Sequence, residues 1–411
     1  MVLEKLTAQT FADFCSQASS KSFMQTLEMA ELLSKRGCHV EFIGLKEDEQ
    51  LQVASLLYSI PMTGGLHMEI NCGPTALDSK YLPAFYEAVK IYAKENGALE
   101  LIIKPYDTYQ IFESNGQPTS DPNNELINTF LDLGFTHDGL QTGYPGGEPD
   151  WLYVKDLDGL DENNLFKSFS KKGKPLVKKS KTFGIKLKKL SRDELPLFKE
   201  ITSSTSDRRD YVDKSLDYYQ DFYDSFGDSC EFMVASLNFK DYLENLQKDQ
   251  DKLGQRIDKL KLDLEKNPNS EKKQNQVREL SSQFDTFTVR MDEANEFISK
   301  YGTKDVILAG SLFVYTPQEA VYLFSGSYPE FNKFYAPALL QEHVMLEAIK
   351  RGINFYNFLG IMGEFDGSDG VLRFKQNFNG YIVRKAGTFR YYPKPLKYKA
   401  IQGIKKILGR Q

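Results

Sequence analysis

Between residues 241 and 300 the chain carries two runs of apolar residues at heptad spacing, and no other pattern in it restricts the local fold as tightly. Leu246, Leu253, Ile257, Leu260 and Leu264 step by 7, 4, 3 and 4, and Val277, Leu280, Phe284, Phe287, Met291, Ala294 and Ile298 alternate steps of 3 and 4. Asn267, Pro268, Asn269 and Ser270 between them are turn formers. The spacing predicts two antiparallel helices sharing one seam, with Lys, Glu, Asp and Gln turned outward. At about 1.5 Å per residue each arm extends roughly 35 Å. Such an arm either reaches for a large partner or lies along its own domain.

Composition places the rest of the chain among soluble globular proteins. Its 411 residues allow two or three domains, and 41% apolar content supplies ample core. The opening residues lack a basic start followed by an apolar run, and no stretch approaches the ~18 apolar residues of a membrane span, so a cytoplasmic location is expected. Cys15, Cys38, Cys72 and Cys230 lie far apart, which argues against a zinc site or a disulfide framework and leaves them as buried thiols. The four histidines, His39, His67, His137 and His343, form no triad and read as structural.

The net charge of −5 hides a strong asymmetry. Ten lysines and no acid fall between Lys167 and Lys189, a footprint for RNA phosphate or an anionic membrane. Thr388 to Gln411 is also free of acids, with Arg390, Lys394, Lys397, Lys399, Lys405, Lys406 and Arg410 around Ile401, Ile404, Ile407 and Leu408. That composition suits a basic amphipathic helix lying on a membrane surface, or a terminal helix docked on the core with a solvated positive face.

Periodicity and turn residues predict a mixed α/β order. In the first part, helices are expected at 8–18, 23–36, 80–95 and 124–133, and strands at 39–45, 51–60, 67–71 and 98–104. In the second, strands are expected at 151–157, 184–190, 231–239, 306–315, 320–325 and 354–359, and helices at 192–202, 215–226 and 335–351. The predicted helical hairpin then interrupts two strands of one sheet. Two similar units suggest a duplication, although no direct repeat is visible.

Several segments in order resemble the Fem/MurM/MurN family of tRNA-dependent aminoacyltransferases, which build peptidoglycan interpeptide bridges. They are SFMQTLEMAELLSKRG at 22–37, VYLFSGSYPEFNKFYAPALLQEHVMLEAIKRGINFYNFLG at 321–360, and GVLRFKQNF at 370–378 with its G-x-x-x-F-K-x-x-F form. Overall similarity looks closest to MurN-like members. The resemblance implies two acetyltransferase-like (GNAT) domains, at 1–148 and at 149–240 with 305–390, an inserted coiled-coil hairpin at 241–304, and a basic C-terminal helix at 391–411. It also implies aminoacyl-tRNA as donor and lipid II as acceptor, with alanine or serine joined to the lysine branch of the pentapeptide stem. Two rivals share features with this reading: a leucyl/phenylalanyl-type protein transferase, and a non-catalytic tRNA- or membrane-binding scaffold.

The donor ester is already activated, so the protein needs chiefly to align a neutral amine and stabilise an oxyanion, without a covalent nucleophile. The resemblance marks Lys375 as the catalytic cation, polarising the ester carbonyl or holding the tRNA terminus. Phe374 stacks on the terminal adenine or belongs to the core. Lys214 and Tyr218 fall where relatives grip the acceptor's diphosphate and sugar, with Lys in place of a bidentate Arg. Tyr335 matches an acceptor-site tyrosine or packs at a helix entry. The opening helix's phosphate-binding cation has no certain counterpart: Glu31 and Leu33 hold the aligned positions, with Lys35 nearby. Lys171, Lys172, Lys178 and Lys179 are the expected tRNA contacts. Where relatives carry Asp-Pro, this chain has Lys104 and Pro105; Asp107 stands in as base, or the proton leaves through substrate and water. The run Arg384 to Phe389 departs from the pyrophosphate-cradling form that coenzyme A needs. Neither cofactor nor metal is expected.

Overall fold

In the computed structural model, which describes residues 1–209 and 211–407, sixteen strands form two sheets. Leu408, Arg410 and the Ile407 side chain, expected in the basic terminal helix, lie outside the described residues. The first sheet runs Val2–Lys5, His39–Glu47, Gln50–Met62, Gly65–Asn71, Ala98–Lys104, Phe389–Tyr391 and Thr136–His137, with Thr75–Ala76 paired to its third strand. Its central pair, Gly65–Asn71 and Ala98–Lys104, is parallel, and the helix Leu82–Glu95 makes the crossover that parallel pairing requires.

The second sheet repeats the plan. Lys186–Lys189, Cys230–Asn238, Asp305–Tyr315 and Ala320–Ser327 form an antiparallel meander, and the helix Ala336–Lys350 crosses over to Phe355–Gly360. Trp151–Asp156, Tyr381–Lys385 and Thr108–Phe112 complete it. The parallel pair touches only at Ala320 with Tyr356 and Val321 with Asn357, so the two strands splay beyond that point.

The two units exchange strands. Thr108–Phe112 leaves the first unit to pair with Tyr381–Lys385, and Phe389–Tyr391 returns from the second to sit between Ala98–Lys104 and Thr136–His137. The divisions expected at 148 and 390 therefore cut through sheet pairing. Six short strands, Val2–Lys5, Thr75–Ala76, Thr108–Phe112, Thr136–His137, Tyr381–Lys385 and Phe389–Tyr391, were not expected from the sequence, because brief segments signal strand structure weakly until their long-range partners are known.

Each sheet is packed on both faces, but unevenly. On the second sheet, Met233, Ala235 and Phe313 point into a core closed by the crossover helix and the base of the helical hairpin. Phe232, Val234 and Leu312 point the other way, beneath Leu195–Arg209 and Leu216–Phe226. The opening helices of the first unit join that same core through Phe23, Met29 and Leu32. The hairpin comprises Phe239–Lys266 and Glu271–Tyr301, and every heptad residue listed above is buried or half-buried. Gln250, not anticipated in the seam, donates to Thr288 Oγ1 at 2.8 Å and so ties the two arms in register. Its anchor is an aromatic cluster of Phe239, Phe297, Tyr301, Phe331 and Phe334, and beyond it the arms pack on each other.

All four cysteines are free; Cys15 and Cys230 are buried, Cys38 and Cys72 half-buried. Among the described residues no helix is long and apolar enough to cross a membrane.

Candidate active site

The helices over the second sheet stop short of its last strands. Alternation along Trp151–Asp156 sends Tyr153 and Lys155 into the covered core and leaves Leu152 and Val154 on the open face, joined there by Val383. These residues floor a cleft of about 400 Å³ between the two units, walled by Ser19 to Lys21, Tyr106 to Thr108, and Gln318 with Glu319. A second hollow of about 220 Å³ shares Lys21 with it.

At the cleft wall a buried carboxylate ties the units together. Glu319, 1% exposed, accepts from the Phe23 backbone N–H at 2.9 Å, from Tyr106 Oη at 2.7 Å and from Asn357 Nδ2 at 3.1 Å. Burial raises its pKa, and the Tyr106 and Asn357 hydrogen bonds hold the rise in check. Lys385 places Nζ 3.8 Å from the centre of the Tyr106 ring and donates to the Tyr106 carbonyl. Burial of that ammonium pushes its pKa down to about 8, against the charges of Cys72, Glu319 and Asp107. Burial moves Asp107 the opposite way, upward, and Lys385 opposes it. A carboxyl group whose pKa is pushed up and an ammonium whose pKa is pushed down thus line one polar wall of an apolar-floored groove, an arrangement suited to moving a proton from an amine.

Farther along the contact between units, Tyr218 lies between two cations, with Lys214 Nζ 5.2 Å and Arg36 Cζ 5.7 Å from its ring centre. Lys214 and Tyr218, both expected at the acceptor site, are neighbours in space, and the cation that the opening helix brings to them is Arg36 rather than Lys35. Lys35 pairs with Glu31 at 2.8 Å along its own helix, whereas Arg36 reaches Asp221 and the Tyr218 ring. One residue is a 100° turn of the helix, and that phase decides which cation faces the second unit.

Lys375 is buried rather than open to the cleft. Asp369 caps the short helix Gly370–Lys375, and the lysine at its end is 3% exposed. Its Nζ donates to the carbonyls of Leu359 at 3.0 Å and Gly360 at 2.6 Å, and it lines neither cavity. Burial pushes its pKa down to about 7, with Asp369 opposing. Leu359 has φ of +60° and gives its N–H to Asn357 Oδ1, the same side chain that serves Glu319. Lys375 therefore ties down a strained strand end, and its Nζ opens onto neither hollow.

The remaining expected residues gather on the opposite face of the second sheet. Lys171, Lys172, Lys178 and Lys179 are exposed on and beside the helix Gly173–Ser180, which buries Val177 and Ser180. A Cβ at Gly173 would meet the Asn377 carbonyl at 1.9 Å, so this glycine lets the lysine helix dock on the GVLRFKQNF segment. Phe374 packs edge-on against Phe378 at 5.5 Å, as a core residue. Tyr335, at φ +54° before the crossover helix, meets Lys179 with Nζ 5.4 Å from its ring, and so stands apart from Lys214 and Tyr218. Tyr218 packs on one face of the second sheet and Tyr335 on the other, because the helices that carry or follow them cover opposite faces.

The sequence profile of the FemAB family matches residues 6–406. The chain belongs to the FemAB family. It is 29% identical over 417 residues to "Aminoacyltransferase FemA" of Staphylococcus epidermidis (strain ATCC 35984 / DSM 28319 / BCRC 17069 / CCUG 31568 / BM 3577 / RP62A), covering 99% of this chain and 100% of that protein. The match to "Aminoacyltransferase FemA" of Staphylococcus aureus (strain bovine RF122 / ET3-1) is 29% over 420 residues and covers all of both. Among solved structures, FemX superposes with a TM-score of 0.77 at 21% identity, over 98% of this chain and 100% of that one. A tandem GNAT protein from the clavulanic acid biosynthesis pathway superposes at 0.50 and 8% identity, over 96% and 99%. The fold of this FemAB-family chain is thus a pair of GNAT-like units, the second bearing the helical hairpin.

Proposed function

We propose that this FemAB-family aminoacyltransferase moves alanine or serine from aminoacyl-tRNA to the lysine branch of the lipid II pentapeptide stem. The observation that carries this reading is the cleft. It sets an apolar floor beside the Lys385, Asp107 and Tyr106 wall, with the Arg36, Lys214 and Tyr218 cluster at the same junction of units. In the reaction the acceptor nitrogen bonds to the ester carbonyl carbon, the carbon–oxygen bond to the ribose breaks, and the ribose oxygen leaves as a hydroxyl. The amine proton passes to the Asp107 carboxylate, whose raised pKa suits it to accept, and from there to the departing ribose oxygen, while Lys385 supplies positive charge beside the developing oxyanion. Arg36 and Lys214 hold the acceptor diphosphate over Tyr218. The exposed lysines of the opposite face hold tRNA phosphates.

The test is a panel of labelled alanyl-, seryl- and glycyl-tRNAs offered with lipid II, with lipid II already carrying one bridge residue, and with a peptide of basic N-terminus. Label from alanyl- or seryl-tRNA in the lipid supports the reading; label in the peptide, or in neither, overturns it. Within the site, Arg36→Ala should raise KM for the acceptor roughly tenfold, the loss expected for a charge-assisted contact, while Lys35→Ala leaves it unchanged.

A further inference from the structure

The C-terminal helix Pro395–Ile407 is docked by one side only. Tyr398 stacks on Tyr392 with ring centres 4.1 Å apart, and Ile401 lies so close to Gly64, at φ +93°, that a Cβ there would meet its Cδ1 at 2.2 Å. Tyr398, Ile401, Gln402 and Lys405 are half-buried on this side. The outward side is apolar. Leu396 is 83% exposed and Ile404 56%, with exposed Ala400 and Gly403 between them. At 100° per residue these four positions fill a stripe roughly 100° wide. Exposed Lys397 borders one edge, exposed Lys399 and Lys406 the other, and no carboxylate occurs from Thr388 onward.

We propose that this outward face docks on an anionic phospholipid bilayer. The charge pattern selects the occupant: Leu396 and Ile404 enter the boundary between headgroups and acyl chains, and the flanking lysines meet lipid phosphates. The lysine block at 167–189 offers the contrast, since no large apolar side chain there is exposed. A polyanion alone uses such a block, whereas Leu396 and Ile404 in solvent gain only from an apolar phase. With 13 residues and a length of about 20 Å, the helix lies on the membrane and does not span it. The inference goes beyond the transferase reading, and the vesicle flotation that decides it contains no substrate.

Full-length protein is floated with phosphatidylcholine vesicles, with and without phosphatidylglycerol. Two variants are compared with it, Leu396→Asp with Ile404→Asp, and Lys397→Glu with Lys399→Glu and Lys406→Glu. The unaltered protein is expected to float with the anionic vesicles, and each variant to partition at least about tenfold less, as loss of lysine attraction and of apolar insertion both predict. Thermal midpoints and turnover on a water-soluble acceptor should not change, because the substituted side chains face solvent. Protein that stays in solution with anionic vesicles overturns the proposal. So does binding that only the lysine variant weakens, which would mark a nonspecific polyanion patch.

Discussion

Lys375 has two buried carbonyl partners and no opening onto the groove, so its substitution should be felt first as lost stability. Lys375→Met keeps the stem and removes the donor, leaving Leu359 O and Gly360 O unsatisfied at a cost of about 1–3 kcal/mol. The expected result is a lowered thermal midpoint together with lower kcat; a midpoint equal to that of the unaltered protein would return the lysine to direct catalysis. His67 gives a second test at this scale. Burial opposes its charge, but hydrogen bonds to Glu100 and Glu69, each 3.1 Å away, prevail and raise its pKa to about 9. Folded above its unfolded value, it contributes stability fully below about pH 6.5 and loses it as pH rises through 9, to a total of no more than about 3 kcal/mol. In His67→Gln, that decline in denaturant midpoint between pH 6.5 and 9 should flatten. Neither role was legible in the sequence: Glu69 stands two residues from His67, but Glu100 reaches it only through sheet pairing, and Leu359 meets Lys375 only once strand and helix pack.

Elements were legible in proportion to how local their signal is. The heptad seam declares the hairpin within sixty residues of chain, and Gln250 escaped, since a polar side chain breaks the apolar template that reveals its neighbours. Arg36 escaped for a different reason: Lys35 and Arg36 are equally basic, and the helix phase that selects one depends on the partner helix Leu216–Phe226. The lysine helix itself permits a direct test. Reversal of Lys171, Lys172, Lys178 and Lys179 to Glu should raise KM for charged tRNA steeply and reduce its salt dependence, by up to about 3 in the log–log slope for four phosphate contacts. An unchanged KM at low salt would remove this helix from the donor site.

At the scale of the whole molecule, the fold class was legible and the division into units was not. Each half advertises its helices and long strands, but the exchange of Thr108–Phe112 and Phe389–Tyr391 involves partners more than two hundred residues apart. The cleft inherits that difficulty, for Lys385, Tyr106 and Glu319 meet only once both sheets are complete. A fragment of residues 1–148 should therefore remain unfolded by circular dichroism, since it lacks the strand between Ala98–Lys104 and Thr136–His137. A cooperative melt of that fragment would show the exchange to be dispensable. The same exchange sets a timetable for synthesis. Because the strand completing the first sheet is synthesised more than 250 residues after its neighbour Thr136–His137, that sheet stays open while the whole second unit, hairpin included, is being made.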